Sequence, residues 1–169
     1  MGIAANQARL MTLTARQNDL ELKAQQISAI KMRLSQTSST TATNYSNALA
    51  NYSKLNSAQM MAEKYPDGKF TVNKDGSFSM TETGTPASDL VSAVAAQIGA
   101  TGTYSTANEY LTIQQGIYNT ETDKISAQEK VYDMELTEVN TEHDAIKTEY
   151  DAIKTLIGDN VEKSFNVFG

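Results

Sequence analysis

The chain has 169 residues, with 14 Lys and Arg against 20 Asp and Glu, a net charge of −6, one His, and neither Cys nor Trp. Its length and its apolar content of 40% suit one folded domain rather than a disordered tail. Without Cys there is no disulfide, thiol nucleophile or thiolate metal site, and a single His excludes a two-histidine metal site within one chain. The acidic balance, with no concentrated basic cluster, argues against a nucleic acid partner.

The first seven residues, Met1 to Gln7, have neither the basic region nor the apolar core of a signal peptide. No stretch of the chain is apolar over the length that a bilayer requires. We therefore expect no membrane span and, if the protein is exported, a route without a cleaved signal.

A heptad pattern, with positions labelled a to g, predicts a long N-terminal helix over residues 1–62. Residues 35–43 are poor in helix formers and are also readable as a linker, but Leu34 and Tyr45 keep one phase across them. We favour one continuous helix. Its d line is Leu13, Leu20, Ile27, Leu34, Thr41, Ala48 and Leu55.

Residues 63–106 predict a β-hairpin followed by a short helix. Apolar and polar residues alternate from Phe70 to Met80 on both sides of Asp75-Gly76, which is typical of a hairpin turn. Thr85 and Pro86 are expected to begin a short helix that Gly99 ends. We expect the hairpin to face outward and to tolerate deletion.

A second heptad pattern predicts a long C-terminal helix within residues 107–169, capped by Thr106 and Glu109 and ended by Gly158. Within it the segment 141–147 recurs as 148–154 with one substitution, His143 to Tyr150. A helix of this length must lie against another long element. Its d line is Leu111, Tyr118, Ile125, Tyr132, Val139, Ile146 and Ile153.

Charges at the g positions predict how the two long helices pair. Residues 1–62 have a net charge of +4 and residues 107–169 one of −8, so the helices attract each other. One antiparallel register brings together three pairs of opposite charges. The pairs are Arg9 with Glu149, Arg16 with Glu142 and Lys23 with Glu135.

Several apolar residues lie outside the seam of a and d positions. Either the middle segment folds back over them or neighbouring subunits cover them. For residues 110–117 both interpretations stay open. For the N-terminal positions, far from the middle segment in sequence, we favour subunit contacts. The predicted contact residues are Met11, Leu22, Met32, Ile113, Ile117 and, from the apolar tail, Phe165 and Phe168.

Candidate chemical sites are weak. The carboxylates of the C-terminal helix are more typical of a solvated or salt-bridged face than of acid–base or metal groups. His143 falls on an a position, which favours a polar layer in the seam over a pH switch. Residues 73–77 lack the later ligands of a calcium loop, and no nucleotide or catalytic motif is present. We expect no enzymatic activity, no cofactor and no metal.

Long helices from both chain ends, a β-rich insertion and the segments Leu13–Leu20 and Ile27–Ser35 resemble bacterial axial filament proteins of the flagellin and type III secretion kind. The sequence likeness covers about residues 1–45. The resemblance implies a secreted subunit at the bacterial cell surface that assembles with copies of itself, with a possible secretion chaperone as a further partner.

The predicted fold is mainly α, a long antiparallel helical hairpin with a small inserted β-hairpin and a short helix. The expected function is structural, as a self-assembling subunit of a bacterial extracellular filament. The main alternative is a cytoplasmic coiled-coil adaptor or export chaperone.

Overall fold

The computed structural model describes the backbone of residues 3–100, 102 and 105–168, and the side chains of residues 4–100, 102 and 105–163. The predicted fold class is confirmed. Two long helices flank a small antiparallel sheet and a short helix. In chain order the elements are α1 (Ile3–Lys64), β1 (Lys69–Val72), β2 (Phe78–Thr81), β3 (Thr85–Pro86), a 3₁₀ turn (Ala87–Asp89), α2 (Leu90–Gln97) and α3 (Ala107–Phe168).

Helix α1 runs without a break through residues 35–43, as the heptad phase that continues from Leu34 to Tyr45 predicts. Side-chain hydroxyls there bond to the backbone one turn earlier, as when Thr43 Oγ1 donates to the Ser39 carbonyl oxygen at 2.9 Å. Such bonds satisfy the hydroxyl without taking a backbone donor from the helix. Serine and threonine are therefore tolerated in this stretch although they are weak helix formers.

Helix α3 begins as predicted but does not end as predicted. Thr106 Oγ1 accepts the Glu109 amide at 3.2 Å, and Glu109 Oε2 accepts the Ser105 amide at 2.8 Å. The prediction that Gly158 ends the helix is wrong, because α3 continues to Phe168. A glycine ends a helix when it adopts a positive φ, which Gly158 does not; inside a helix it costs only about 0.5–1 kcal/mol relative to alanine.

The contacts divide the chain into two compact units that cut across the three segments read from the sequence. Unit 1 combines residues 1–36 with residues 126–169, and unit 2 comprises residues 37–125. Each unit therefore contains part of α1 and part of α3.

Unit 1 is an antiparallel pair of helices held by a narrow apolar seam. The contact pairs Arg9–Glu149 and Lys31–Asp133 show the antiparallel sense, since the partner number falls as the α1 number rises. The d-line residues are buried, except Tyr132, which is partly buried, and the a positions cover their edges. The buried apolar residues of the two d lines in unit 1 are Leu13, Leu20, Ile27, Leu34, Val139, Ile146 and Ile153.

Unit 2 has a broader core, in which the inserted segment packs on both long helices. Phe70 of β1, Leu90 of α2 and Leu55 of α1 are fully buried there. Tyr110 of α3 belongs to the same core and is 4% exposed. The prediction that the hairpin faces outward is therefore wrong for Phe70, whereas its tolerance of deletion stays a prediction. Side chains alternate between the two faces of a strand, and Phe70 lies on the face of β1 that is turned toward the core. Phe70 is the largest fully buried side chain among the described residues.

The sheet contains a strand that the sequence did not predict. Its order is β2-β1-β3, with Phe70 opposite Met80 on one side and opposite Thr85 on the other. Thr85 and Pro86 thus form an edge strand instead of beginning the short helix. Proline is compatible with such an edge because its missing amide faces no partner. Gly99 ends the short helix at φ +65°, as predicted.

The hairpin turn lies against α1. Gly76 has φ +80°, and a Cβ there would come within 2.4 Å of Ile98 Cγ2, so no larger residue fits. Lys54 Nζ donates to the Asp75 carbonyl oxygen at 2.6 Å. The Ser77 hydroxyl and amide both donate to Asp75 Oδ1, at 2.6 and 2.9 Å, and these bonds lower the pKa of Asp75.

Candidate subunit interface

The three N-terminal residues predicted as subunit contacts are exposed. Met11 is 76% exposed, Leu22 54% and Met32 69%. All three lie in unit 1, on the side of α1 opposite the seam that holds Leu13 and Leu20. No part of the described chain covers them, so three large apolar side chains point into solvent in a single copy.

The apolar residues within 110–117, which either the middle segment or a neighbouring subunit was expected to cover, differ in their burial. Tyr110 is buried in the core of unit 2, where the inserted segment covers it. Ile113 and Ile117 are 42% and 52% exposed. Phe165 and Phe168, the other predicted contacts, lie outside the residues whose side chains the structure describes.

The exposed apolar residues of α1 belong to a longer row without charges. The row follows heptad positions b and f, with alternating spacings of four and three, and every member is exposed. We call it the α1 outer row: Ala4, Ala8, Met11, Ala15, Asn18, Leu22, Gln25, Ala29 and Met32. The solvent face of a two-helix coiled coil is ordinarily rich in charge, so this uncharged row, apolar except at Asn18 and Gln25, is a second stripe distinct from the seam.

Helix α3 has a matching row at heptad positions c and f. We call it the α3 outer row: Ala127, Val131, Met134, Glu138, Thr141, Ala145, Thr148, Ala152 and Thr155. All nine residues are exposed, and Glu138 is the one charge among them. A surface groove runs along this face between Asp133 and Ala145, where small side chains at Thr137, Thr141 and Ala145 alternate with Glu138 and Glu142.

Two of the three expected charge pairs form within the chain. Arg9 Nε donates to Glu149 Oε1 at 2.8 Å, and Arg16 Nε donates to Glu142 Oε1 at 2.8 Å. The other predicted pair, Lys23 and Glu135, forms no ion pair within 4.0 Å in the described part of unit 1. Exposed pairs of this kind are worth only about 0.2–1 kcal/mol, too little to impose a contact on two long side chains.

A polar layer interrupts the seam where it was predicted. His143 Nε2 lies 3.2 Å from Gln17 Nε2 and 3.6 Å from Glu21 Oε1, and the imidazole is partly buried. Both Gln17 and His143 occupy a positions. A polar pair in an otherwise apolar seam favours the one register in which the two groups meet.

Sequence reasoning missed two features of unit 1. Lys31, at an a position, reaches out to Asp133, with Nζ 2.5 Å from Oδ1. Asn6, 6% exposed, occupies the d position one heptad before Leu13. Their heptad positions could have indicated a place near the seam, since Lys31 lies on the a line and Asn6 on the d line. A heptad pattern does not show, however, how far the buried seam extends toward the N-terminus.

No helix in the described part of the chain is apolar over a length that would cross a membrane. Comparison of the chain with models of known protein families, with characterised proteins and with experimentally determined structures found no match.

Proposed function

We propose that this protein is a structural subunit that assembles with copies of itself into a bacterial extracellular filament. The observation that carries the proposal is the exposure of Met11, Leu22 and Met32 within an uncharged row on a long helix. We infer that neighbouring subunits cover this row.

The energetic argument starts from the seam. The a and d positions of unit 1 are already used within the chain, so the outer face of α1 adds nothing to the fold of one copy. Covering a methionine or leucine side chain contributes about 1.5–3 kcal/mol when its burial is complete. Burial of three such side chains would stabilise each contact between subunits, and a polymer contains one such contact for every subunit added.

The cellular setting is part of the same proposal. The resemblance of residues 1–45 to axial filament proteins supports a filament at the bacterial cell surface. The absence of cysteine from the sequence is compatible with assembly outside the cell, since no disulfide is needed for the subunits to join.

The test replaces Met11, Leu22 and Met32 together by Gln. Because all three are exposed, we expect the monomer to keep its helicity and its thermal midpoint nearly unchanged. Polymers that form from the wild-type protein, observed by negative-stain microscopy and light scattering, should disappear.

The matched control replaces three exposed apolar residues of unit 2, Leu49, Met60 and Met80, by Gln. This control should polymerise like the wild type. Wild-type protein that stays monomeric at every concentration and salt tested would overturn the proposal. Loss of the monomer fold in the Met11, Leu22 and Met32 variant would show that the row belongs to an internal core.

The alternative function is that of a cytoplasmic coiled-coil adaptor or export chaperone. The same α1 outer row would then bind a helix of another protein. An adaptor stays a discrete small particle alone and gains mass only with its partner, so light scattering of the purified chain separates the two functions.

A further inference from the structure

We propose that the α1 outer row of one copy packs on the α3 outer row of the next copy, so that the subunits join head to tail. This inference rests on the proposed function and specifies which two surfaces meet. It follows from the dimensions, placement and charge of the two rows and from the groove on α3.

The two rows match in length and spacing. Each contains nine exposed positions with alternating spacings of four and three, over residues 4–32 and 127–155. At 1.5 Å per residue, both extend for about 42 Å. The two rows therefore have the same length and the same heptad spacing, and a second coiled-coil seam requires both.

The two rows lie on opposite sides of unit 1. Both helices turn their a and d positions toward each other, and both outer rows occupy positions on the far side of their helix. A contact between unlike surfaces on opposite sides of a subunit leaves one unfilled surface at each end of a dimer, so it continues from copy to copy, as a filament unless the rotation between copies closes a ring. One kind of contact then covers both rows of every subunit.

Charge favours this pairing over the symmetric one between two α3 helices. In unit 1, residues 3–36 of α1 contain five basic and two acidic groups, whereas residues 126–163 of α3 contain four basic and ten acidic groups. Two α3 faces from different copies would place strongly acidic surfaces together, which costs free energy. Arg9, Arg16 and Lys31 are already paired with α3 of the same chain, so they do not belong to the outer face of α1. The charges that flank the α1 outer row are Asp19, Glu21 and Arg33, and packing this nearly neutral face on the α3 row avoids the repulsion between two acidic faces.

The shapes of the rows also complement each other. The α1 row presents its large side chains, Met11, Leu22 and Met32, among alanine and small amides. The groove on α3 is lined by Met134 and the small side chains of Thr137, Thr141 and Ala145, together with the acidic residues Asp133, Glu138 and Glu142. Methionine adapts to irregular depressions of this kind because its side chain is unbranched and flexible.

The experiment uses two full-length variants, each with one row blocked. The first is Met11→Gln, Leu22→Gln and Met32→Gln, which leaves the α3 row intact. The second is Val131→Gln, Met134→Gln and Ala145→Gln, which leaves the α1 row intact. All six positions are exposed, so circular dichroism should show wild-type helicity in both.

At concentrations above the wild-type polymerisation threshold, we expect each variant alone to be monomeric in analytical ultracentrifugation. An equimolar mixture should form a one-to-one dimer that does not extend, because each dimer retains only blocked rows at its ends. Either variant added to the wild type should shorten its polymers.

Three results would overturn the inference while the proposed function stands. The second variant forming dimers alone would show α1 packing on α1, and the first variant doing so would show α3 on α3. Wild-type polymers together with a mixture that stays monomeric would place the subunit contact elsewhere. A wild-type chain that never polymerises overturns the proposed function itself.

Discussion

The two units differ in how completely they bury the same kind of residue. In unit 1 the d-line residues Leu13 and Leu20 are 8% and 7% exposed, whereas Leu55, on the same line in unit 2, is 1% exposed. A seam between two helices is open along both edges, and its a-position residues cover those edges incompletely. In unit 2 the sheet and α2 cover the helices from outside, and the core becomes closed.

The difference shows what the insertion does. A heptad pattern alone specifies partner and register, but in unit 1 it leaves a seam of uneven depth, in which Val139 is 2% exposed and Leu13 8%. The inserted segment converts the same pattern into a closed core around Phe70 and Leu90. The insertion therefore stabilises the fold locally, and it is not a loop carried on the surface.

The first prediction compares one substitution in the two units. Leucine to alanine in a core costs about 2–5 kcal/mol, depending on how far the site collapses around the cavity. We expect Leu55→Ala to fall near the upper end, since its closed surroundings cannot relax, and Leu20→Ala near the lower end. Denaturant unfolding of both variants measures the difference. Equal costs would contradict the distinction between a closed core and an open seam.

Much of this fold was predictable from the sequence because heptad periodicity reports directly on the buried face of a long helix. Leu13, Leu20 and Ile27 follow from spacing alone. Burial of Phe70 did not follow, since alternation identifies the two faces of a strand without saying which face has a partner. The outer rows were recognised only at their large members, because small residues such as Ala15 carry little signal by themselves.

The second prediction concerns charge in the open seam. Reversing Arg9 and Arg16 to Glu should destabilise unit 1 by about 0.2–1 kcal/mol for each pair, mostly at low salt, because both pairs are exposed. Reversing Glu149 and Glu142 to Arg in the same chain should restore the loss. A double-mutant cycle on thermal or denaturant unfolding measures the coupling.

The matched control for this cycle is Lys23 with Glu135, which form no ion pair within 4.0 Å in the described structure. Reversal of that pair should show little coupling. Coupling as large as that of Arg9 with Glu149 would indicate that long-range attraction, and not the contact itself, sets the register. Rescue only when the two sets of changes lie on different chains would move the pairing between subunits.

The third prediction, with the smallest expected effect, tests the hairpin turn of unit 2. The bonds from Ser77 hold the pKa of Asp75 below its ordinary value of 3.8. A group whose pKa is lower in the folded state stabilises the fold above the unfolded pKa, and this contribution is lost as the pH falls through the folded pKa. Asp75→Asn should therefore lower the thermal midpoint at pH 7 and converge with the wild type in strong acid.

Asp67→Asn, in the turn before β1, is the control for the general effect of removing one negative charge. In this control the change in thermal midpoint between pH 7 and strong acid should be nearly the same as in the wild type. A constant gap between Asp75→Asn and the wild type at every pH would assign the effect to side-chain shape instead of ionisation.

The sevenfold spacing repeated in residues 141–154 makes the pairing of unit 1 nearly degenerate. If α3 slipped by one heptad, Arg16 would still meet a glutamate, Glu149 in place of Glu142, and Ile153 would replace Ile146. The polar layer changes, because Gln17 would face Tyr150 instead of His143. Two ion pairs are lost as well, because Arg9 would face Leu156 and Lys31 would face Asn140 instead of Asp133. One histidine, one arginine and one lysine thus distinguish two alignments that the d-line residues alone leave nearly equivalent.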